Sequence, residues 1–181
     1  PEVKLEDCRK GHTANKPLGR GPGTASGRGY NTERLVNAVL DGRIYQPASV
    51  RPWYDNFVDE NQTCRVEAKC CIDQYPSGGS GRFRIWGHNH SELLSESEGW
   101  GNNTTEYLYF FVVYTVEHGV EKEVGKLIAP VKQIDEVLNQ DSWSERNHKT
   151  MGEQPAKDLS WTGLLDRLNI PEERFREADI I

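Results

Sequence analysis

Two carboxylates and one ammonium group mark where this chain can do chemistry: Asp55, Glu67 and Lys69. Thr63 to Ile72 alternates with period two and predicts a β-strand. Cys64, Val66, Ala68 and Cys70 then share one face, and Arg65, Glu67 and Lys69 share the other. Charge on a buried strand is costly unless it is paired or holds a metal. Arg51 to Val58 predicts a second short strand, and Asp59-Glu60-Asn61-Gln62 a polar turn between the two. Folding at that turn brings Asp55 back beside Glu67, so that two carboxylates and an ammonium converge.

Such a group suits phosphodiester hydrolysis. Mg2+ prefers hard oxygen ligands and usually takes only one or two carboxylates from a protein. The ion acidifies a water that it binds and screens the charge of the scissile phosphate. A neighbouring lysine orients the water and stabilises developing negative charge. Asp55, Glu67 and Lys69 can fill these roles, with the backbone carbonyl of Ala68 as a further ligand. Asp59 competes with Asp55 as the ligand, but its position in the turn is explained by turn chemistry alone. The structural alternative for the whole group is a strand with a cross-strand ion pair, which contributes little.

Asp55 followed by Glu67-Ala68-Lys69 on a strand resembles the PD-(D/E)xK nuclease superfamily, which includes type II restriction endonucleases and archaeal Holliday-junction resolvases. The literal Pro-Asp pair is replaced by Pro52-Trp53-Tyr54-Asp55. The resemblance covers roughly residues 30–140. It implies an α/β restriction-endonuclease-like fold, a central mixed sheet flanked by helices. It also implies Mg2+, with Mn2+ as a substitute, held by Asp55, Glu67 and Ala68. Lys69 would serve catalysis, Glu33 would be an assisting carboxylate as in the resolvase-like members, and the products would carry 5′-phosphate ends.

Composition bounds the remaining choices. The chain has 181 residues, enough for one domain with a core. Its net charge of −6 argues against a protein that coats nucleic acid by charge alone. The charge is uneven: residues 1–54 carry nine Lys/Arg against five Asp/Glu, and the remainder is acidic. A nuclease needs only a local basic surface. No apolar run approaches the ~18 residues of a membrane span. The four cysteines, two of them adjacent, do not form a secreted disulfide framework. They predict a reduced, cytoplasmic protein without a signal peptide. A zinc site from Cys64, Cys70, Cys71, His88 and His90 lacks any Cys-x2-Cys pair.

The elements that must position these residues follow in order. Residues 1–29 are a Gly/Arg-rich segment in which Arg20 and Arg28 can follow a phosphate backbone, ahead of a single domain over 30–181. Asn31 is the expected cap of a helix running to Asp41, with Leu35, Val36, Val39 and Leu40 buried and Glu33 in its first turn. Arg82 to Trp86 alternates as a strand. With His88, Asn89 and His90, Arg82 and Arg84 form a polar cluster suited to reading bases in the major groove. Ser91 to Glu98 predicts one or two helical turns. Tyr107 to Val116 is apolar on both faces and belongs in the centre of a covered sheet. A hairpin leads to Val124–Ile128, and Val131, Ile134, Val137 and Leu138 mark an amphipathic helix. Residues 140–158 lack periodicity and predict a long loop. Leu159, Trp161, Leu164, Leu165 and Leu168 predict a last packed helix.

Three functions remain open on this reading. The first is a Mg2+-dependent endonuclease of the sequence-specific restriction type, acting on double-stranded DNA as a homodimer. The second is a Holliday-junction resolvase, and the third a non-catalytic DNA- or protein-binding module.

Overall fold

The computed structural model describes residues 29, 32, 33, 35, 36, 39, 55–58, 64–99, 105–118, 120–148 and 152–177. Seven strands are assigned among them: β1 (Asn56–Val58), β2 (Cys64–Ile72), β3 (Arg82–Trp86), β4 (Glu106–Glu117), β5 (Val120–Pro130), β6 (Ser144–His148) and β7 (Gly152–Ser160). Four helices are bounded among the same residues: α1 (Gly87–Ser97), α2 (Val131–Leu138), α3 (Trp161–Arg167) and α4 (Glu172–Glu177). The expected mixed α/β architecture is present, but the strands divide into two sheets rather than one. One sheet has the order β1-β2-β4-β5 and the other β3-β7-β6.

The first sheet carries the charged strand. β2 and β4 run parallel, with Glu67 opposite Tyr109 and Lys69 opposite Phe111. β1 and β5 add antiparallel edges. The run Tyr109–Tyr114 is buried throughout. Burial on both faces is why β4 reads as a continuous apolar run instead of alternating. On one face, Val66, Phe110, Val112 and Tyr114 pack against Leu35, Val36 and Val39. On the other, Tyr109, Phe111 and Val113 join Phe83, Leu93, Ile134 and Trp161 in the larger core.

Thr32, Glu33, Leu35, Val36 and Val39 are helical, as their spacing predicts. Gly29 is helical too. Asn31, Leu40 and Asp41 lie outside the described residues.

The expected loop over 140–158 is mostly β-structure. β6 and β7 form an antiparallel hairpin, and β7 pairs with β3, Arg84 standing opposite Asp158. Leu159 belongs to β7 and not to the last helix. β6 is exposed along nearly its whole length, so it has no buried face to create a period. Backbone pairing, which leaves no trace in hydrophobic pattern, holds it. Lys157 turns inward and donates to the carbonyl of Leu138 at the end of α2, where a cation complements the helix dipole.

The two sheets meet where β2 leaves the first. Gly81 donates to the Asp73 carbonyl at 3.0 Å and accepts from the Trp161 amide at 3.0 Å. A Cβ on Gly81 would stand 1.6 Å from the carbonyl oxygen of Ile72, so only glycine permits this approach. The Trp161 indole donates to the Asp73 carbonyl at 2.8 Å, tying α3 to the same corner. β3 is thereby held next to the exit of β2, and a groove forms between them.

Candidate active site

Asp55 enters the site through strand register. β1 pairs with β2 so that Asn56 faces Val66 and Val58 faces Cys64. Continuing that register by one residue sets Asp55 against Glu67. The Asp55 amide donates to the Val66 carbonyl at 3.0 Å. Its Oδ2 accepts from the Ala68 amide at 2.8 Å. One carboxylate oxygen is thus fixed by the backbone of the strand that carries the second carboxylate. The turn residues 59–63, including Asp59, lie outside the described residues.

Glu67 is 2% exposed. Its Oε1 accepts from Lys69 Nζ at 2.5 Å. Its Oε2 is buried with no hydrogen-bond partner. Burial, and then the neighbouring Asp55 charge, push the Glu67 carboxyl up to about 8. Burial also raises the Asp55 carboxyl, although Lys69 and the Ala68 amide oppose it. Burial acts to lower the Lys69 ammonium, but Glu67 and Asp55 together outweigh it and hold the group above its ordinary value. Two acidic groups thus share a space that two full negative charges cannot occupy without a further cation.

Arg65 completes the charged row on this face of β2. Arg65 pairs with Glu96 near the end of α1, and Tyr107 donates to the same carboxylate at 3.1 Å. The row is therefore paired along its length. Lys69 is the member of the triad that also lines the groove between the sheets. That groove encloses about 950 Å³, and Lys69, Ser80, Arg82, Arg84 and Asp158 are among the residues lining it.

The other sequence candidates are dispersed. Glu33 is half-buried on helical residues that pack against the face of the sheet opposite Glu67. Arg20 and Arg28 lie outside the described residues. Arg82, Arg84 and His88 are exposed, and Asn89 is half-buried. His88, Asn89 and His90 lie in the first turn of α1. His90 turns inward: its Nδ1 lies 3.0 Å from the Tyr109 hydroxyl and its Nε2 3.1 Å from Asp135 Oδ1. At 3% exposure, it is packed away from any base. Sequence reasoning missed Tyr109, which stands beside Glu67, because a tyrosine in an apolar strand looks like core. It also missed Asp158 and Arg146, which lie in the stretch expected to be a loop.

Whether a divalent ion fits can be judged from the donors present. Asp55 and Glu67 supply hard oxygens, and Glu67 Oε2 is an orphaned buried acceptor. No group of three or more His, Cys, Asp or Glu side chains able to hold a metal occurs among the described residues. Two carboxylates with a backbone carbonyl suit an oxygen-seeking ion that keeps several waters. They do not suit zinc, and Cys64, Cys70 and Cys71 form no disulfide among the described residues.

An α/β domain with an acidic pair and a lysine on neighbouring strands has the layout of a nuclease-like fold. A family model of the PD-(D/E)XK nuclease superfamily domain matches residues 21–166, and the chain belongs to that superfamily. No curated protein and no solved structure matches the chain. Membership points to nuclease activity, with DNA as the substrate that such a domain implies. Nucleases of this superfamily generally use divalent metals. Among the described residues, no helix is long and apolar enough to cross a membrane.

Proposed function

We propose that this chain is a Mg2+-dependent endodeoxyribonuclease that cuts double-stranded DNA at particular sequences and leaves 5′-phosphate ends. The observation that carries the reading is the buried Asp55–Glu67 pair, with one unpartnered oxygen and Lys69 bridging it to the groove. Asp55, Glu67 and the Ala68 carbonyl would hold the ion. When bound, the ion supplies positive charge at the scissile phosphate and acidifies water. Lys69 reaches the groove, orients the attacking water and stabilises charge on the phosphate. The Ala68 amide fixes Asp55, so the acidic pair is organised before substrate arrives.

Sequence reading falls to Arg82 and His88, exposed side chains of the 82–90 stretch, whereas the exposed Arg84 is engaged by Asp158. Arginine can pair bidentately with guanine. Cutting both strands of a palindrome calls for a two-fold homodimer. The test is incubation with plasmid and phage DNA, with and without Mg2+, beside Lys69→Ala. Discrete Mg2+-dependent fragments that the variant fails to produce are expected. A smear would remove the sequence-specific part, and equal cleavage by the variant would remove the assignment of Lys69.

A further inference from the structure

The second sheet has a face that the catalytic triad does not use. Arg82 and Arg84 on β3 share the parity that also carries Trp86. Their partners across β7 are Ser160 and Asp158, and Arg146 and His148 follow on β6. The opposite parity of β3, Phe83 and Ile85, is buried in the core. One side of this sheet is therefore committed to packing, and the other carries Arg82, Arg84, Asp158 and Arg146 around a buried Ala156 and a half-buried Trp86.

Asp158 is the centre of that outer face. Arg84 grips it with two hydrogen bonds, Nε to Oδ1 at 2.7 Å and Nη2 to Oδ2 at 2.9 Å. Arg146 Nη2 approaches Oδ2 at 3.9 Å. The two arginine side chains are 49% and 51% exposed, so both remain within reach of a ligand. A fork of two parallel N–H···O bonds is also how arginine holds a phosphate. Trp86 flanks the arrangement on the same face: the Arg84 guanidinium lies 5.8 Å from its ring centre, and the His148 ring packs T-shaped with it, ring centres 4.6 Å apart.

This face is continuous with the catalytic groove. Arg82, Asp158 and Ser160 line the groove that contains Lys69, and the same three line a second groove of about 410 Å³ with Arg146. Lys69, Arg82, Arg84 and Arg146 thus mark a basic path on a chain whose net charge is −6. Glu145 and Glu153 fall on the other parity of the hairpin, away from the path.

We infer that the outer face of the β3–β7–β6 sheet is the track on which the phosphate backbone of DNA lies beyond the catalytic groove, with Asp158 occupying the place of a phosphate between Arg84 and Arg146 until DNA displaces it. The inference rests on the nuclease reading for its ligand and adds where that ligand runs. Asp158 neutralises the path in the absence of DNA, which weakens non-specific binding.

Anisotropy of a labelled duplex tests this, using the full chain without divalent ions over a salt series. Each phosphate contact adds about 0.9 to the slope of log K against log salt. Arg146→Gln is expected to lower that slope by about one and to weaken binding about eight-fold near 0.1 M salt. Asp158→Asn is expected to tighten binding several-fold and steepen the slope. Arg174→Gln, an equal loss of charge on α4, is the control and leaves both unchanged. Unaltered binding by Arg146→Gln overturns the track, as does an equal loss in Arg174→Gln. Unaltered binding by Asp158→Asn overturns the phosphate mimic. Cleavage by the wild type alongside unaltered Arg146→Gln binding would sink the track alone. No cleavage by the wild type, with the arginine effects present, would sink the nuclease reading and keep the track.

Discussion

Glu67–Lys69 and Asp158–Arg84 are both acid–base pairs at the rim of one groove, yet they are built for opposite conditions. The first is almost wholly enclosed: the side chains are 3% and 15% exposed. The second is open, at 20% and 49%. Burial raises the Glu67 carboxyl to about 8, whereas the Arg84 hydrogen bonds hold the Asp158 carboxyl below its usual range. Both pairs have a second acid or base beside them, Asp55 in one case and Arg146 in the other. The inner cluster has two acids for one base and is short of positive charge. The outer cluster has two bases for one acid and is short of negative charge. On the proposed reading a cation would complete the first and a phosphate the second, the two components that a phosphodiesterase must bring together.

The largest effect expected from breaking this contrast is on catalysis. Lys69→Met and Glu67→Gln should each lower Mg2+-dependent cleavage by at least about a hundred-fold, the scale of losing one group that stabilises transition-state charge. Asp158→Asn should leave the rate under saturating DNA within a factor of about three. Single-turnover kinetics at saturating DNA separates the two cases. Comparable losses in all three variants would show that the outer pair takes part in the chemical step and would end the distinction.

Metal binding comes next. A ligand present at a hundred times its Kd stabilises the native state by about 2.7 kcal/mol, which is about 5–10 °C in Tm for a domain of this size. Mg2+ or Mn2+ should produce such a rise in the wild type. Asp55→Asn and Glu67→Gln should abolish most of it, and Asp158→Asn should retain it. A rise that persists in both inner variants would place the ion elsewhere.

Stability without metal separates the clusters again, by a smaller margin. Removing one member of a buried pair costs about 3–5 kcal/mol when the other stays charged. Lys69→Met should cost less than this, because Glu67 can take up a proton, and still more than Asp158→Asn. An exposed pair contributes about 0–1 kcal/mol. Urea midpoints for the two variants should fall in that order.

The contrast also explains what could be read from the sequence. Asp55, Glu67 and Lys69 were legible because strand alternation and one turn fix a local register, and the register brings them together. The buried stripe Leu35, Val36, Val39 and the doubly covered β4 were legible for the same reason: burial writes a period into the chain. The outer cluster was not. Arg84 and Asp158 are 74 residues apart, and β6 lacks any apolar alternation because it is exposed. Gly152, with φ of +74°, was the available cue to a turn within the expected loop. The placement of His90 was hidden by its neighbours. His88, Asn89 and His90 look alike as a polar run, and helical geometry sends the third one inward while the first stays exposed.

His90 also supplies the smallest and most selective prediction, because its contact with Asp135 lies between the two extremes. The groups facing it are Tyr109 on β4, Asp135 on α2, and Trp143 and Lys157 beyond. A neutral ring with its proton on Nε2 donates to Asp135 and accepts from the Tyr109 hydroxyl, so both nitrogens are satisfied without charge. Burial lowers the His90 pKa, and the Asp135 contact only partly offsets it. The folded protein therefore binds this proton less readily than the unfolded chain, whose histidine titrates near 6.5. Below that pH the unfolded state holds more protons, and stability must fall as pH falls toward the folded pKa; above it the contribution is flat. Glu67, whose carboxyl is raised to about 8, favours the folded state as pH falls over the same range, so the His90 contribution is read as the wild-type urea midpoint minus that of His90→Gln, and this difference should decline on the acid side. If Asp135 outweighed burial, as a carboxylate does in an open pair, the difference would instead rise as the ring became charged. The sign of one slope thus decides whether burial or charge governs this contact.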